Sequence, residues 1–345
     1  MSLQRALPWL LFVAIASFVG WKLHASHFDW AGFARNLRAI DLRLIALAIL
    51  ITNSNNLLRA MRWAVFLRPA LKQAAKRPIH WWNLVGPSFI GFTGLAIFGR
   101  IGELIRPLLV ARRTGQSFPS QIAVVTVERV FDLGAFALIF SINLLLSPQL
   151  QTLPYLHKAG YTIAALTLAL LIFVAAVRLA GALVARLCGT LVGIVSKPVG
   201  ASVREKILHF RDGLNVIDNI PDFLMATALS MALWLMIVAA YVLVMKSFPA
   251  PVSSLHVSQI IVLMGFSIAG SVLPIPGGSG AWAGNAFALA QLFKLPPELA
   301  GSAGLMVWLV GTMSVIPAGF IFAKIEGISL AQVAKRSEAA EERLG

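Results

Sequence analysis

The chain has 345 residues, of which 58% are hydrophobic and 12% charged, whereas an ordinary soluble domain is about 45–50% apolar and roughly 25% charged. So little polar material cannot cover a soluble core of this size, which excludes a soluble globular protein. The net charge is +15, but the basic residues fall mostly in short connections between apolar runs, which points to membrane topology and anionic lipid rather than nucleic acid.

About 20 apolar residues span a bilayer core. On that measure the predicted full spans, in chain order, are 6–24, 42–67, 120–146, 159–180, 223–246 and 299–322. The first resembles a signal peptide, with Arg5 leading an apolar run to Trp21, but no small-x-small cleavage site follows and it reads as a span. Two further apolar stretches, from about Trp82 to Val110 and from about Val257 to Phe293, carry helix breakers. Gly86, Pro87, Gly91, Gly94, Gly99, Gly102 and Pro107 interrupt one, and Gly270, Pro274, Pro276, Gly277, Gly278 and Gly280 the other. Broken backbone at membrane depth is tolerated only where protein or a water-filled cavity satisfies it. Each stretch therefore reads as a re-entrant hairpin or discontinuous helix, with an ordinary kinked span as the alternative.

Loop charges set the orientation. Arg68, Lys72, Lys76, Arg77, Arg112 and Arg113 mark a cytoplasmic side, as do Arg186, Lys197, Arg204, Lys206 and Arg211 in the connection 181–222. The connections 147–158 and 247–256 carry almost no charge and are placed outside. Both termini are then cytoplasmic. The first loop, with Arg35 and Arg38 partly offset by Asp29 and Asp41, fits this scheme less well. The fold class is an all-α polytopic membrane protein of about six full spans plus two broken segments entering from opposite sides, the pattern of an inverted repeat. The transmembrane domain covers 1–325, in halves of about 1–150 and 151–325, and 326–345 is a short cytoplasmic tail. Within the long connection, Val203, Ile207, Phe210, Leu214 and Ile217 recur at helical spacing. They predict an amphipathic helix over 203–220 on the inner leaflet surface, or a plain surface linker.

Of fourteen acidic residues, only Glu103, Glu128 and Asp132 sit well within apolar segments, where ionisable groups normally pair or line a polar pathway. Glu128 and Asp132, four apart, share a helix face with Arg129 beside them. Glu103 stands three residues from Arg100 and three from Arg106, so one helical turn would gather all three. Asn55, Arg59 and Arg62 follow one face of the second span. Five arginines and three carboxylates are thus candidates to converge near the cytoplasmic half of the membrane. Arginine forks suit bidentate contact with phosphate or carboxylate, so the pocket suits an anionic or zwitterionic lipid headgroup. The bland alternatives are neutralising pairs that pin helices and, for Arg59 and Arg62, snorkelling to the interface. Pro274, Pro276, Gly277 and Gly278 would add backbone amides and carbonyls. Several of the nine tryptophans lie near span ends, as an aromatic belt requires. One cysteine, Cys188, and six scattered histidines give no metal spacing, no cofactor is implied, and no P-loop pattern is present.

Four strings, in order, carry a resemblance: RAMRW at Arg59–Trp63, GRIGELIRP at Gly99–Pro107, ERVFD at Glu128–Asp132 and PIPGGSG at Pro274–Gly280. Over roughly 7–325 the chain resembles the flippase-like membrane domain of lysylphosphatidylglycerol synthases and its stand-alone relatives. That resemblance implies movement of modified phospholipids, or of polyprenyl- or hopanoid-type lipids, between leaflets of the inner (plasma) membrane. The sequence has no counterpart of the aminoacyl-transfer domain of the two-part synthases, so lysyl-lipid synthesis is not implied. The family often places a glutamate shortly after the Pro-Gly-Gly turn. Here Ala283 stands near that place, and Asn285 could supply part of its hydrogen bonding but not its charge. The expected function is a lipid flippase-like transporter, not an enzyme. A membrane transferase acting on a lipid-linked donor and a non-transporting partner of a lipid-modifying enzyme are the alternatives, and a homo-oligomer is compatible with the sequence.

Overall fold

The computed structural model describes residues 28–73, 79–148, 154–214, 219–272 and 276–329. The expected first span at 6–24, Pro274 and nearly all of the tail 326–345 lie outside the described residues. Among the described residues the chain is all-helical. Helix α1, Trp30–Arg38, lies in the first loop, for which no helix is expected from the pattern of residues. Helix α2 runs Leu42–Gln73 and takes in the second predicted span.

The first breaker-rich stretch is interrupted as its composition requires. A 3-10 turn, Trp81–Leu84, leads into α3, Val85–Phe98. A second 3-10 turn, Gly99–Leu104, separates α3 from α4, Ile105–Thr114. Gly99 breaks the helix at φ +63, a left-handed conformation that costs other residues a Cβ clash. Helix α5, Phe118–Leu146, starts at Ser117, whose hydroxyl accepts the Ser120 amide, with a proline in the first turn.

Helix α6, Pro154–Val195, kinks at Ala180 (φ −138, ψ 41), the residue at which the fourth span was expected to end. Beyond it the connection 181–222 differs from expectation. The chain stays helical to Val195, and α7 occupies Lys197–Leu214 rather than 203–220. Gly200 explains the earlier start. Its missing side chain lets α7 lie against Gly189 and Gly193 of α6, where a Cβ would meet the Gly193 backbone within 2.7 Å. Helix α8 spans Ile220–Ser247, and α9 Val257–Ser271.

The second breaker-rich stretch is likewise interrupted. A 3-10 turn at Pro276–Gly278 precedes α10, Gly280–Phe287, and a π turn follows at Ala288–Leu292. Helix α11, Pro297–Trp308, passes through a π turn into α12, Ile316–Ile325. Among the described residues three stretches are long and apolar enough to cross a membrane: Leu42–Pro69, Ile220–Ser247 and Pro297–Ile325. Helix α5, at 29 residues, is as long but carries Glu128, Arg129 and Asp132.

Two compact units interleave along the chain. One draws on the described residues within Met1–Asn53, Phe92–Gly102 and Met236–Ile321, the other on those within Ser54–Gly91, Glu103–Leu235 and Phe322–Gly345. The first has an aliphatic core that includes Ile45, Met245, Leu263, Leu289, Ala303 and Val310, all buried. The second has an aromatic chain, with Phe131 at 5.6 Å from Phe66 and 5.7 Å from Phe223.

Candidate functional site

In the second unit, α2 and α5 each place two ionisable residues one turn apart and turned toward the other helix. Arg62 on α2 is fully buried, at 0% exposure. Its two terminal nitrogens divide between two carboxylates: Nη2 donates to Glu128 Oε1 at 2.7 Å and Nη1 to Asp132 Oδ1 at 2.6 Å. Nη1 also donates to the Ser230 hydroxyl of α8 at 2.7 Å. The second oxygen of Glu128 accepts from Arg106 of α4. The Arg106 guanidinium lies over the Trp63 ring, 4.0 Å from its centroid. The indole of Trp63 in turn donates to Gln121 Oε1 at 3.1 Å. Arg59, 17% exposed at its side chain, sits 3.9 Å from both Glu128 Oε1 and Asp132 Oδ2.

Four helices thus meet on one ionic network. Three guanidiniums face two carboxylates. A single arginine clamped by two acids is held in one orientation, because the planar fork satisfies both partners at once.

The sequence-predicted cluster separates in two. Arg59, Arg62, Arg106, Glu128 and Asp132 come together. Glu103, expected to join Arg100 and Arg106, accepts from Arg129 at 3.0 Å, and this pair is exposed, at 59% for Arg129 and 42% for Glu103; the Arg100 side chain lies outside the described residues. Position 129 lies only one residue beyond Glu128, so it falls on a different helix face. Arg100 lies in the 3-10 turn Gly99–Leu104. Sequence reasoning missed Ser230 and Gln121, because a lone serine or glutamine in an apolar run carries no spacing signal. It also gave Trp63 no part in the cluster, whereas Trp63 is buried in the network. The one available signal was its place directly after Arg62.

The two broken segments form glycine-packed hairpins. In the second unit, a Cβ on Gly91 of α3 would come 2.5 Å from Arg106 Cβ, and in the first unit one on Gly102 would collide with the backbone of Gly94. In the first unit α9 and α10 approach as closely. A Cβ on Gly270 would overlap the Gly280 carbonyl, and one on Gly284 the Phe266 carbonyl. Small residues permit such backbone contact between membrane helices.

Gly277 and Gly278, at φ +68 and +65, make the turn of the second hairpin. The Trp308 indole donates to the Gly277 carbonyl at 2.9 Å, and the Trp282 indole to Gly301 at 2.9 Å. These two rings therefore hold backbone. A Cβ on Gly277 would stand 3.9 Å from the Ala96 carbonyl of α3, so the two broken segments meet within the first unit. Pro276 lies in the same turn. Ala283 is exposed while Asn285 is fully buried beside the Tyr241 hydroxyl. Two positions apart on a helix point to different faces, so Asn285 does not stand in for an acid at position 283.

The family model described as lysylphosphatidylglycerol synthase TM region matches residues 9–319. A comparison with curated proteins found no match.

Proposed function

We propose that this chain, which belongs to the lysylphosphatidylglycerol synthase TM-region family, is a flippase-like transporter that moves a phospholipid or other polar-headgroup lipid between leaflets. The observation that carries the reading is the ionic network of Arg59, Arg62, Arg106, Glu128 and Asp132 inside an apolar helical protein. Buried ion pairs repay their desolvation poorly, and apolar residues of similar volume often serve stability as well or better. Charge kept at such depth is a functional-site hypothesis by default. The two glycine-packed hairpins add support. Their meeting at Ala96 and Gly277 fits an inverted-repeat transporter in which two discontinuous segments approach each other. Six full spans, re-entrant hairpins and cytoplasmic termini complete this reading, with the protein in the inner membrane.

The chemistry favours transport over catalysis. Glu128 and Asp132 are each engaged by arginine, which fits a binding and orienting role better than that of a free general base. The test is a reconstituted vesicle assay with headgroup-labelled lipids. Vesicles holding the protein should equilibrate label between leaflets faster than protein-free vesicles, and an Arg62→Gln variant should slow that exchange. Rates equal to protein-free vesicles across a broad lipid panel would remove the reading.

A further inference from the structure

Among the described residues, two ion pairs have both partners exposed: Asp29–Arg35 at 2.9 Å and Glu103–Arg129 at 3.0 Å. The first sits at the start of α1 in the first loop, outside the expected spans. The second does not. Arg129 stands about three turns past Phe118, where α5 begins. That is a rise of about 16 Å, roughly half of a ~30 Å hydrocarbon core. Glu103 lies in the 3-10 turn Gly99–Leu104, the tip of the first hairpin. Ionisable groups at such depth face protein or water rather than acyl chains, so the exposed sides of this pair look onto a polar path. One turn further along the same stripe of α5, Leu133 is exposed as well. Exposed pairs are weak, so an exchange of partners costs little. Glu128, the residue before Arg129, keeps its bonds to Arg62 and Arg106 inside the protein. The outer pair can therefore open while the buried network stays closed.

We propose that Glu103 and Arg129 form a headgroup-reading pair that takes a zwitterionic phosphoethanolamine lipid, with Arg129 on the phosphate and Glu103 on the ammonium. The inference rests on the lipid-transport reading above, with α5 as a span, and names its substrate class. The guanidinium fork meets a phosphate through two parallel hydrogen bonds. A primary ammonium brings three donors to the carboxylate. Leu133 offers the first apolar step to the chains behind the headgroup. An anionic lipid would engage Arg129 but strip Glu103 of its partner beside a second negative charge, and like charges in a poorly screened setting repel. A choline headgroup has the right charges but no N–H to donate.

Equilibrium binding to the purified full-length chain in neutral detergent, read by native mass spectrometry, tests this without any transport step. The probes are phosphatidylethanolamine, phosphatidylcholine, phosphatidylglycerol and free phosphoethanolamine. Phosphatidylethanolamine should bind at least about fivefold more tightly than either other lipid, as expected for one more charge-assisted hydrogen bond. Glu103→Gln should erase that preference and leave phosphatidylglycerol bound no less tightly than before. Arg129→Gln should weaken all three lipids at least about fivefold, since each presents the same phosphate. Both variants should melt close to wild type, because the pair is exposed. Glu103→Asp keeps the carboxylate and should keep the ranking at reduced affinity. Asp29→Asn, which breaks the other exposed pair, should change nothing.

Equal affinity for the three lipids, or an unaltered ranking in Glu103→Gln, overturns the proposal. Free phosphoethanolamine displacing the lipid at equal concentration would overturn the lipid as source. Vesicles that move no lipid while the binding preference persists would remove transport and leave this assignment standing. Movement with no preference for the ethanolamine headgroup would do the reverse.

Discussion

At the scale of single residues, Glu128 is the junction of the network, giving one oxygen to Arg62 and the other to Arg106. Removing it takes a carboxylate partner from each of two buried cations. Glu128→Ala should therefore destabilise the protein by about 3–5 kcal/mol, the range for breaking a buried pair, seen as a large drop in thermal unfolding temperature in detergent. Glu103→Ala, which breaks only the exposed pair with Arg129, should cost less than about 1 kcal/mol. Equal losses from the two variants would contradict the burial contrast. The residue types of this network were legible in sequence, since acids in apolar runs are conspicuous. The partner of each was not. Arg106 lies three residues from Glu103 and 22 from Glu128 along the chain, yet pairs with Glu128, because the route of the chain after Pro107 decides which helix it faces.

At the scale of elements, breakers were the most informative letters. The glycines and prolines of 82–110 and 257–293 marked both hairpins, and Gly99, Gly277 and Gly278 occupy left-handed backbone. Gly277→Ala should cost about 1–2 kcal/mol from the left-handed penalty alone, and Trp308→Phe, which deletes the indole donor to the same turn, should lower the same unfolding temperature. Helix α8 offers a second test. The Asn219 side chain accepts the Asp222 amide at 2.8 Å, and Asp222 accepts from Arg68 at 2.6 Å. Asn219→Ala should lose about 1 kcal/mol as a lost N-cap, read by the same melt. The connection 181–222 was the poorest reading. Its basic residues marked a cytoplasmic connection with a helix only over 203–220, whereas Arg186, Lys197, Arg204 and Lys206 sit on the exposed sides of two helices that pack through glycines.

At the scale of the whole molecule, hydropathy and charge gave the helical class, and three of the predicted spans, 42–67, 223–246 and 299–322, coincide with the stretches long and apolar enough to cross a membrane among the described residues. The compact units were beyond reach, because they are stitched from alternating stretches of chain, and local pattern carries no trace of such long-range pairing. The proposed orientation has a clean test, since Cys188 is the single cysteine. In a Cys188→Ser background, Ala250→Cys should react with an impermeant maleimide on intact cells, whereas Glu205→Cys should react only after permeabilisation. The opposite pattern would invert the topology.

The shared carboxylate of Glu128 has a consequence for how any mutational map should be interpreted. Arg62 and Arg106 are not independent sites, because each stabilises the charge that holds the other. Their individual substitution effects will overlap, and the double variant should cost less than the two singles added together. A thermodynamic cycle should return a coupling energy of about 0.5–3 kcal/mol, the range for residues in one network. Ranking these arginines by single alanine substitutions would count the same interaction twice.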